Sequence, residues 1–271
     1  MIPYFLKANK HVILIHIRHV SSQVCKHINI SIEKINKFIL DILFPIHCIA
    51  CKKEGAWICE ICLAKIKVQD EHLCPICEKM ITPDGRTCLA CKKRTSLDGL
   101  LVSSSYLQFP IASAVHLFKY RFISDFHLPL GELLIRVMRQ AEIPLPDIIM
   151  PVPLHKRRLR WRGFNQSALL ANHLAKNLLP AVVLTIDENI LIRNRYTTPQ
   201  MQIKNYTNRL ENINGAFSVS HHTDIKNKTI LIVDDIATTG STIFECAKIL
   251  KDAGAKEVFA IVLARQETKT R

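Results

Sequence analysis

The most specific chemistry in this chain lies where two adjacent carboxylates run into a string of hydroxyls. Asp234-Asp235 is followed by Ile236-Ala237-Thr238-Thr239-Gly240-Ser241-Thr242. Hydroxyls and backbone N–H groups at a turn that opens a helix converge on a phosphate. Gly240 lets the backbone approach closely. A phosphate alone has no use for two acids beside it; they make sense if the ligand also brings neutral hydroxyls, or a Mg²⁺ ion. A ribose 5-phosphate meets both demands, its hydroxyls on Asp234 and Asp235 and its phosphate on 237–242. An ordinary strand–turn–helix with polar turn residues is the plainer alternative, and the uninterrupted run of acids and hydroxyls disfavours it.

The flanking residues supply the elements that must hold this turn. Ile230-Leu231-Ile232-Val233 predicts a short strand buried on both faces of a parallel sheet. Ile243, Phe244, Ala247 and Leu250 predict a helix, capped by Ser241 or Thr239 and ended by Gly254.

Four Cys-x-x-Cys pairs form the second constellation: Cys48/Cys51, Cys59/Cys62, Cys74/Cys77 and Cys88/Cys91. One such knuckle presents two thiolates to a metal, and two complete a tetrahedral S₄ site for Zn²⁺. Eight ligands imply two closed structural sites with no open position for catalysis. The short intervals favour sequential pairing, first with second and third with fourth, although spacing does not eliminate interleaving. A thioredoxin-like dithiol needs a βαβ context absent here, and iron–sulfur clusters use other spacings. With no credible secretion signal, this cysteine usage favours metal binding in a reducing cytosol over disulfides. Cys25 and Cys246 stand alone, Cys246 as a buried helix position.

The 271 residues carry a formal charge of +14, which points to anionic ligands or polyanionic partners. From Pro153 to Glu211 there are ten Lys/Arg against three Asp/Glu, so much of the charge is concentrated there. Residues 1–30 read as a basic, flexible extension whose apolar patch is too short to span a membrane. Residues 31–44 have helical spacing, 45–95 hold the cysteines, and 98–271 alternate strand and helix signals, as in an α/β domain with an open parallel sheet. Strands are expected at 99–106, 147–150 and 258–263, and helices at 110–120, 128–141 and 169–178. Arg265, at the end of the last strand, is expected near an acceptor pocket.

Between them lies a basic loop, 155–166, containing Arg160-Trp161-Arg162-Gly163-Phe164-Asn165-Gln166. It could be merely solvated, grip a pyrophosphate, or offer arginines and stacking aromatics to a single-stranded nucleic acid. Pyrophosphate ranks first because the loop is expected to face the 234–242 turn. Arg193-Asn194-Arg195-Tyr196-Thr197-Thr198-Pro199-Gln200 reads as a mobile phosphate-gripping segment outside any element, and Lys204 to Asn212 as a helix. His173 and His221-His222 read as a helix position and a surface turn rather than metal ligands.

The segment 230–242 resembles the phosphoribosyl pyrophosphate (PRPP) motif of type I phosphoribosyltransferases. Taken with the cysteine knuckles, Pro151-Val152-Pro153, Arg162 to Gln166, Arg193 to Gln200, and Asn212 with Gly215-Ala216-Phe217, the chain resembles the competence protein F (ComF/ComFC) family from about Phe44 to Arg265. The resemblance implies a phosphoribosyltransferase-like domain behind a zinc ribbon, binding PRPP with Mg²⁺ in the cytosol. It assigns Asp234 and Asp235 to the ribose hydroxyls and metal, and Ala237 to Thr242 to the 5-phosphate. Arg193 and Arg195 would close over the leaving pyrophosphate. It further implies uptake of transforming DNA as single strands, beside a ComFA-like helicase at the inner membrane. Two readings compete: a DNA-uptake factor that uses the pocket without turnover, and a nucleobase salvage transferase, which has no need of a ribbon. A glutamine-dependent amidotransferase would need an N-terminal nucleophilic cysteine and an ammonia-producing domain, neither of which is visible. The chain departs from the family in the residues before Ser31 and at Arg121-Phe122, where relatives often carry glycine.

Overall fold

The computed structural model describes residues 45–82, 84–198, 206–220 and 224–266. The extension expected over 1–30, the helix expected over 31–44, Cys25, Pro199-Gln200, Lys204 and His221-His222 lie outside them. Residues 48–271 make up one compact unit.

At its centre is a parallel sheet of β3 (Gly99–Ser105), β4 (Ile148–Pro151), β7 (Thr229–Ala237) and β8 (Glu257–Arg265), in the order β3-β8-β7-β4. Ile230, Leu231, Ile232 and Val233 are all essentially fully buried because both faces of β7 are covered. Leu231 and Val233 join Ile149 and Ile261 on one face, under helices α2 (Ile111–Tyr120), α3 (His127–Gln140) and α5 (Gln166–Asn177). Ile230 and Ile232 join Met150 and Val262 on the other, under α7 (Ser241–Asp252). Each such side chain contributes about 1.5–3 kcal/mol relative to exposure. The register of β4 on β7 ends at Pro151–Val233, whereas β7 and β8 stay paired to Ala237–Arg265. The last residues of β7 therefore run past the end of β4.

Three expectations are corrected. Part of the 155–166 loop is a helix, α4 (Lys156–Arg162), whose N-cap His155 accepts from the Arg157 amide and which ends at Gly163 in the left-handed conformation, φ 80°. It buries no residue, so it leaves no apolar stripe for periodicity to detect. Arg193 is not in a mobile segment but ends β5 (Leu191–Arg193), which pairs with β6 (Phe217–Val219). Its continuation is tied down by Asn212 of α6 (Tyr206–Ile213), which accepts from the Thr198 amide and donates to the Thr198 carbonyl. The cap position of α7 is Gly240, at φ 78° with no side-chain cap bond, rather than Ser241 or Thr239.

Ahead of the sheet, the cysteine-rich segment carries the one-turn helix α1 (Glu60–Ala64) and the hairpin β1 (His72–Leu73) and β2 (Ile81–Thr82).

Candidate phosphate and sugar pocket

The ends of β4 and β7 open onto a cavity of about 130 Å³, lined on one side by Asp234, Asp235, Ala237, Thr238, Gly240, Ser241 and Thr242. The turn thus comes together as expected, except for Thr239. That residue is buried, its hydroxyl oxygen 2.6 Å from that of Ser241, and it braces the turn instead of facing the cavity. The first N–H groups of α7 have no intrahelical acceptor, which suits a phosphate at this end.

The two acids differ. Asp234 accepts from the Ser167 hydroxyl at 2.9 Å and from the Asp235 amide. Burial, and then the neighbouring Asp235 charge, pushes its carboxyl up to about 7. Asp235 is paired with Lys119, Nζ to Oδ1 2.9 Å, and the Lys119 side chain is only 14% exposed. An arriving metal or sugar hydroxyl therefore competes with an internal counter-ion.

The same cavity is lined by a cationic wall of Lys119, Arg158, Arg162 and Arg193. Arg158 donates to the Thr197 carbonyl at 2.7 Å and Arg193 to the Thr197 hydroxyl at 2.5 Å. Arg162 donates to Gln166 Oε1 at 3.0 Å. The Nε atoms of both Arg162 and Arg193 are buried with no hydrogen-bond partner. Burial, reinforced by Arg158, pulls the Arg193 guanidinium down to about 10, and burial lowers Arg162 as well. Like charges packed this closely, with unsatisfied donors, call for an anion.

The remaining expected site residues fall outside the cavity. Arg195 turns away, donating to the carbonyls of Asn212 and Asn214. Arg160 and Trp161 are exposed, Trp161 at 60% and edge-on to Phe122 at 5.0 Å. Phe164 stacks on Phe118 in the core, so it is no free stacking platform. Gly163 ends α4, and Asn165 caps α5 through the Ser167 amide while donating to the Val152 carbonyl. Gln166 lines the cavity and supports Arg162. Arg265 donates to the Pro75 carbonyl and to Glu78, so it braces the ribbon, and the next residue, Gln266, lines the cavity. Lys119 and Ser167 were missed, and Arg158 was expected only as one of the arginines of the 155–166 loop. A lysine at a helix end, one arginine in a basic run and a serine after Gln166 carry no local signal of convergence.

The cysteines gather in sequential pairs, Cys48/Cys51/Cys59/Cys62 and Cys74/Cys77/Cys88/Cys91. Sulfur separations of 3.6 Å (Cys51–Cys59) and 4.0 Å (Cys77–Cys88) are close to the edge of a tetrahedron with about 2.3 Å Zn–S bonds. The residues fit two structural zinc sites. Among the described residues no helix is long and apolar enough to cross a membrane.

Such a fold and pocket define a phosphoribosyltransferase-type domain behind a double zinc ribbon. The phosphoribosyl transferase domain family matches residues 165–271 and the double zinc ribbon domain family residues 39–97. The chain is 34% identical over 212 residues to the DNA utilization protein YhgH of Salmonella typhi, covering 77% of this chain and 90% of that one. Against competence protein F of Haemophilus influenzae it is 29% identical over 235 residues, 82% and 98% of the two chains. For competence protein ComFC of Bacillus subtilis the figures are 25% over 226 residues, 77% and 84%. The chain belongs to this competence protein F (ComF, YhgH) family.

Proposed function

We propose that the pocket binds PRPP with Mg²⁺ and supports displacement of pyrophosphate from C1 of the ribose. The 5-phosphate takes the Ala237–Thr242 turn, the ribose hydroxyls take Asp234 and Asp235, and the pyrophosphate takes Arg193, Arg162, Arg158 and Lys119. In the reaction the C1–O bond to pyrophosphate breaks, the electron pair leaves with the pyrophosphate, and an acceptor's lone pair forms the new bond to C1. The transition state separates charge, so a preorganised cationic wall stabilises the leaving group without a strong base. Bound Mg²⁺ would neutralise part of the pyrophosphate charge.

One observation carries this reading: two anion-seeking surfaces, one of hydroxyls and backbone N–H groups and one of half-buried arginines whose Nε atoms are buried and unpartnered, line the same cavity as a pair of carboxylates. Calorimetry of PRPP·Mg tests it. Asp234→Asn with Asp235→Asn should abolish binding, and unchanged affinity would refute the assignment. Pyrophosphate release across a panel of bases, ammonia and DNA then identifies the acceptor, while release with none of them would leave the pocket as a PRPP sensor.

A second activity is favoured by the outward face of α4, where exposed Trp161 and Arg160 lie outside the cavity. Aromatic stacking with arginine on phosphates suits single-stranded DNA, and the relatives' names, competence and DNA utilization, agree with it. The same setting implies a cytosolic place beside a helicase. Filter retention of single-stranded DNA should fall steeply with salt and be weakened by Trp161→Ala. No retention at moderate salt would remove this activity.

A further inference from the structure

Both ends of α7, the helix that begins at the phosphate turn, are held by the second cysteine cluster and the residues just after it. At the N-terminal end, the Phe244 ring packs against the group formed by Cys74, Ile76 and Cys91 with Cys77 and Cys88. The same ring sits 2.8 Å from where a Cβ on Gly240 would be, so it presses directly on the turn. At the other end, Lys251 Nζ lies 2.7 Å from Asp98 Oδ2. Asp98 also pairs with Lys92 at 3.1 Å and accepts from the Val258 amide, and Lys92 directly follows the ligand Cys91. A third contact comes from β8, where Arg265 grips Pro75 inside the Cys74–Cys77 knuckle and Glu78 directly after it.

The first cluster has different neighbours. Ile58, Leu63 and Ile66 join the core on the opposite face of the sheet, Trp57 meets Phe126 at 5.4 Å, and Arg136 donates to the Leu63 carbonyl. None of these is on α7.

We propose that metal occupancy of the Cys74/Cys77/Cys88/Cys91 cluster and phosphate occupancy of the turn are coupled, with Phe244 as the positioning residue between them. This rests on the reading of the turn as a phosphate site. Zinc fixes the knuckle that forms the wall behind Phe244, and that ring backs Gly240, whose left-handed conformation aims the turn toward the cavity. Loss of the metal frees the knuckle, lets the ring move, and disperses the donors that the phosphate needs. By reciprocity, a bound phosphate must hold zinc more firmly in this cluster, and it has no such effect on the first.

The test uses the full, zinc-loaded chain with ribose 5-phosphate as the probe, because it lacks the chelating diphosphate of PRPP. Cysteine alkylation under a zinc chelator, read residue by residue by peptide mass spectrometry, separates the two clusters. Saturating ribose 5-phosphate should slow alkylation of Cys74, Cys77, Cys88 and Cys91 by about fivefold or more, the lower end of usual coupling. Cys48, Cys51, Cys59 and Cys62 should be unaffected. Phe244→Ala should lose the protection while still binding ribose 5-phosphate, more weakly, and Phe244→Leu should restore part of it. Calorimetric binding without selective protection overturns the coupling alone. Absence of binding overturns the reading of the turn and the coupling with it. Equal protection in Phe244→Ala would mean that the ring does not link the two.

Discussion

The phosphate turn and the cationic wall line one cavity but are built in opposite ways. The turn is a single stretch, Asp234 to Thr242, shaped by one strand end and one helix start. The wall is assembled from the end of α2, two positions of α4 and the end of β5. A local site is preorganised by its own backbone and by the few side chains that back it, here the Phe244 ring behind Gly240. A dispersed one depends on the whole domain holding four cations together against their mutual repulsion, which makes it the more sensitive to its ligand.

That contrast can be broken or sharpened by comparing PRPP with ribose 5-phosphate, which lacks the pyrophosphate. The largest effect is expected for Arg193→Met. Removing a charged hydrogen-bonding group costs about 1.5–3 kcal/mol, so PRPP affinity should fall about 10- to 150-fold. Ribose 5-phosphate binding, measured by the same calorimetry, should be nearly unchanged. Equal losses for both ligands would abolish the division between the two walls.

Gly240→Ala acts on the turn and should weaken both ligands alike. The left-handed φ and the approach of Phe244 to the new methyl carry a strain of about 1–3 kcal/mol, or about 5- to 150-fold in affinity. Titration gives the next effect. Asp234 holds a proton below about 7, and sugar hydroxyls need the ionised form as acceptor, so ribose 5-phosphate binding should tighten as pH rises. The expected gain is roughly tenfold between about pH 6 and pH 8. Inorganic phosphate, measured in parallel, corrects for titration of the ligand itself. Arg195→Ala should change PRPP affinity by no more than about twofold, because that guanidinium is spent on the Asn212 and Asn214 carbonyls. A larger loss would mean that Arg195 swings into the wall when PRPP binds.

The same contrast explains what could be read in the sequence. The turn, the strand beneath it and the sequential cysteine pairs were legible because each is written in consecutive or closely spaced residues whose types have few other uses. The wall was legible only in part. Arg193 and Arg162 stand within motifs, but Lys119 lies at an ordinary helix end, and Arg158 is indistinguishable in sequence from the exposed arginines around it. Helix α4 escaped because helical periodicity reports apolar burial, and this helix has no fully buried residue. Arg265 was expected beside an acceptor because it ends a central strand. Its actual partners, Pro75 and Glu78, are nearly two hundred residues earlier in the chain, and no local pattern records such a contact.

The staggered ends of β4 and β7 have a further consequence. Val152 makes the last bond across, its amide donating to the Val233 carbonyl, but its own carbonyl is taken by the Asn165 side chain and the Asp235 amide turns onto Asp234 Oδ1. The doorway to the cavity is thus kept open by side chains that occupy the very main-chain groups a longer ladder would use. Exchanging Asn165 for alanine would free the Val152 carbonyl and invite the entrance to be sealed by the protein's own backbone.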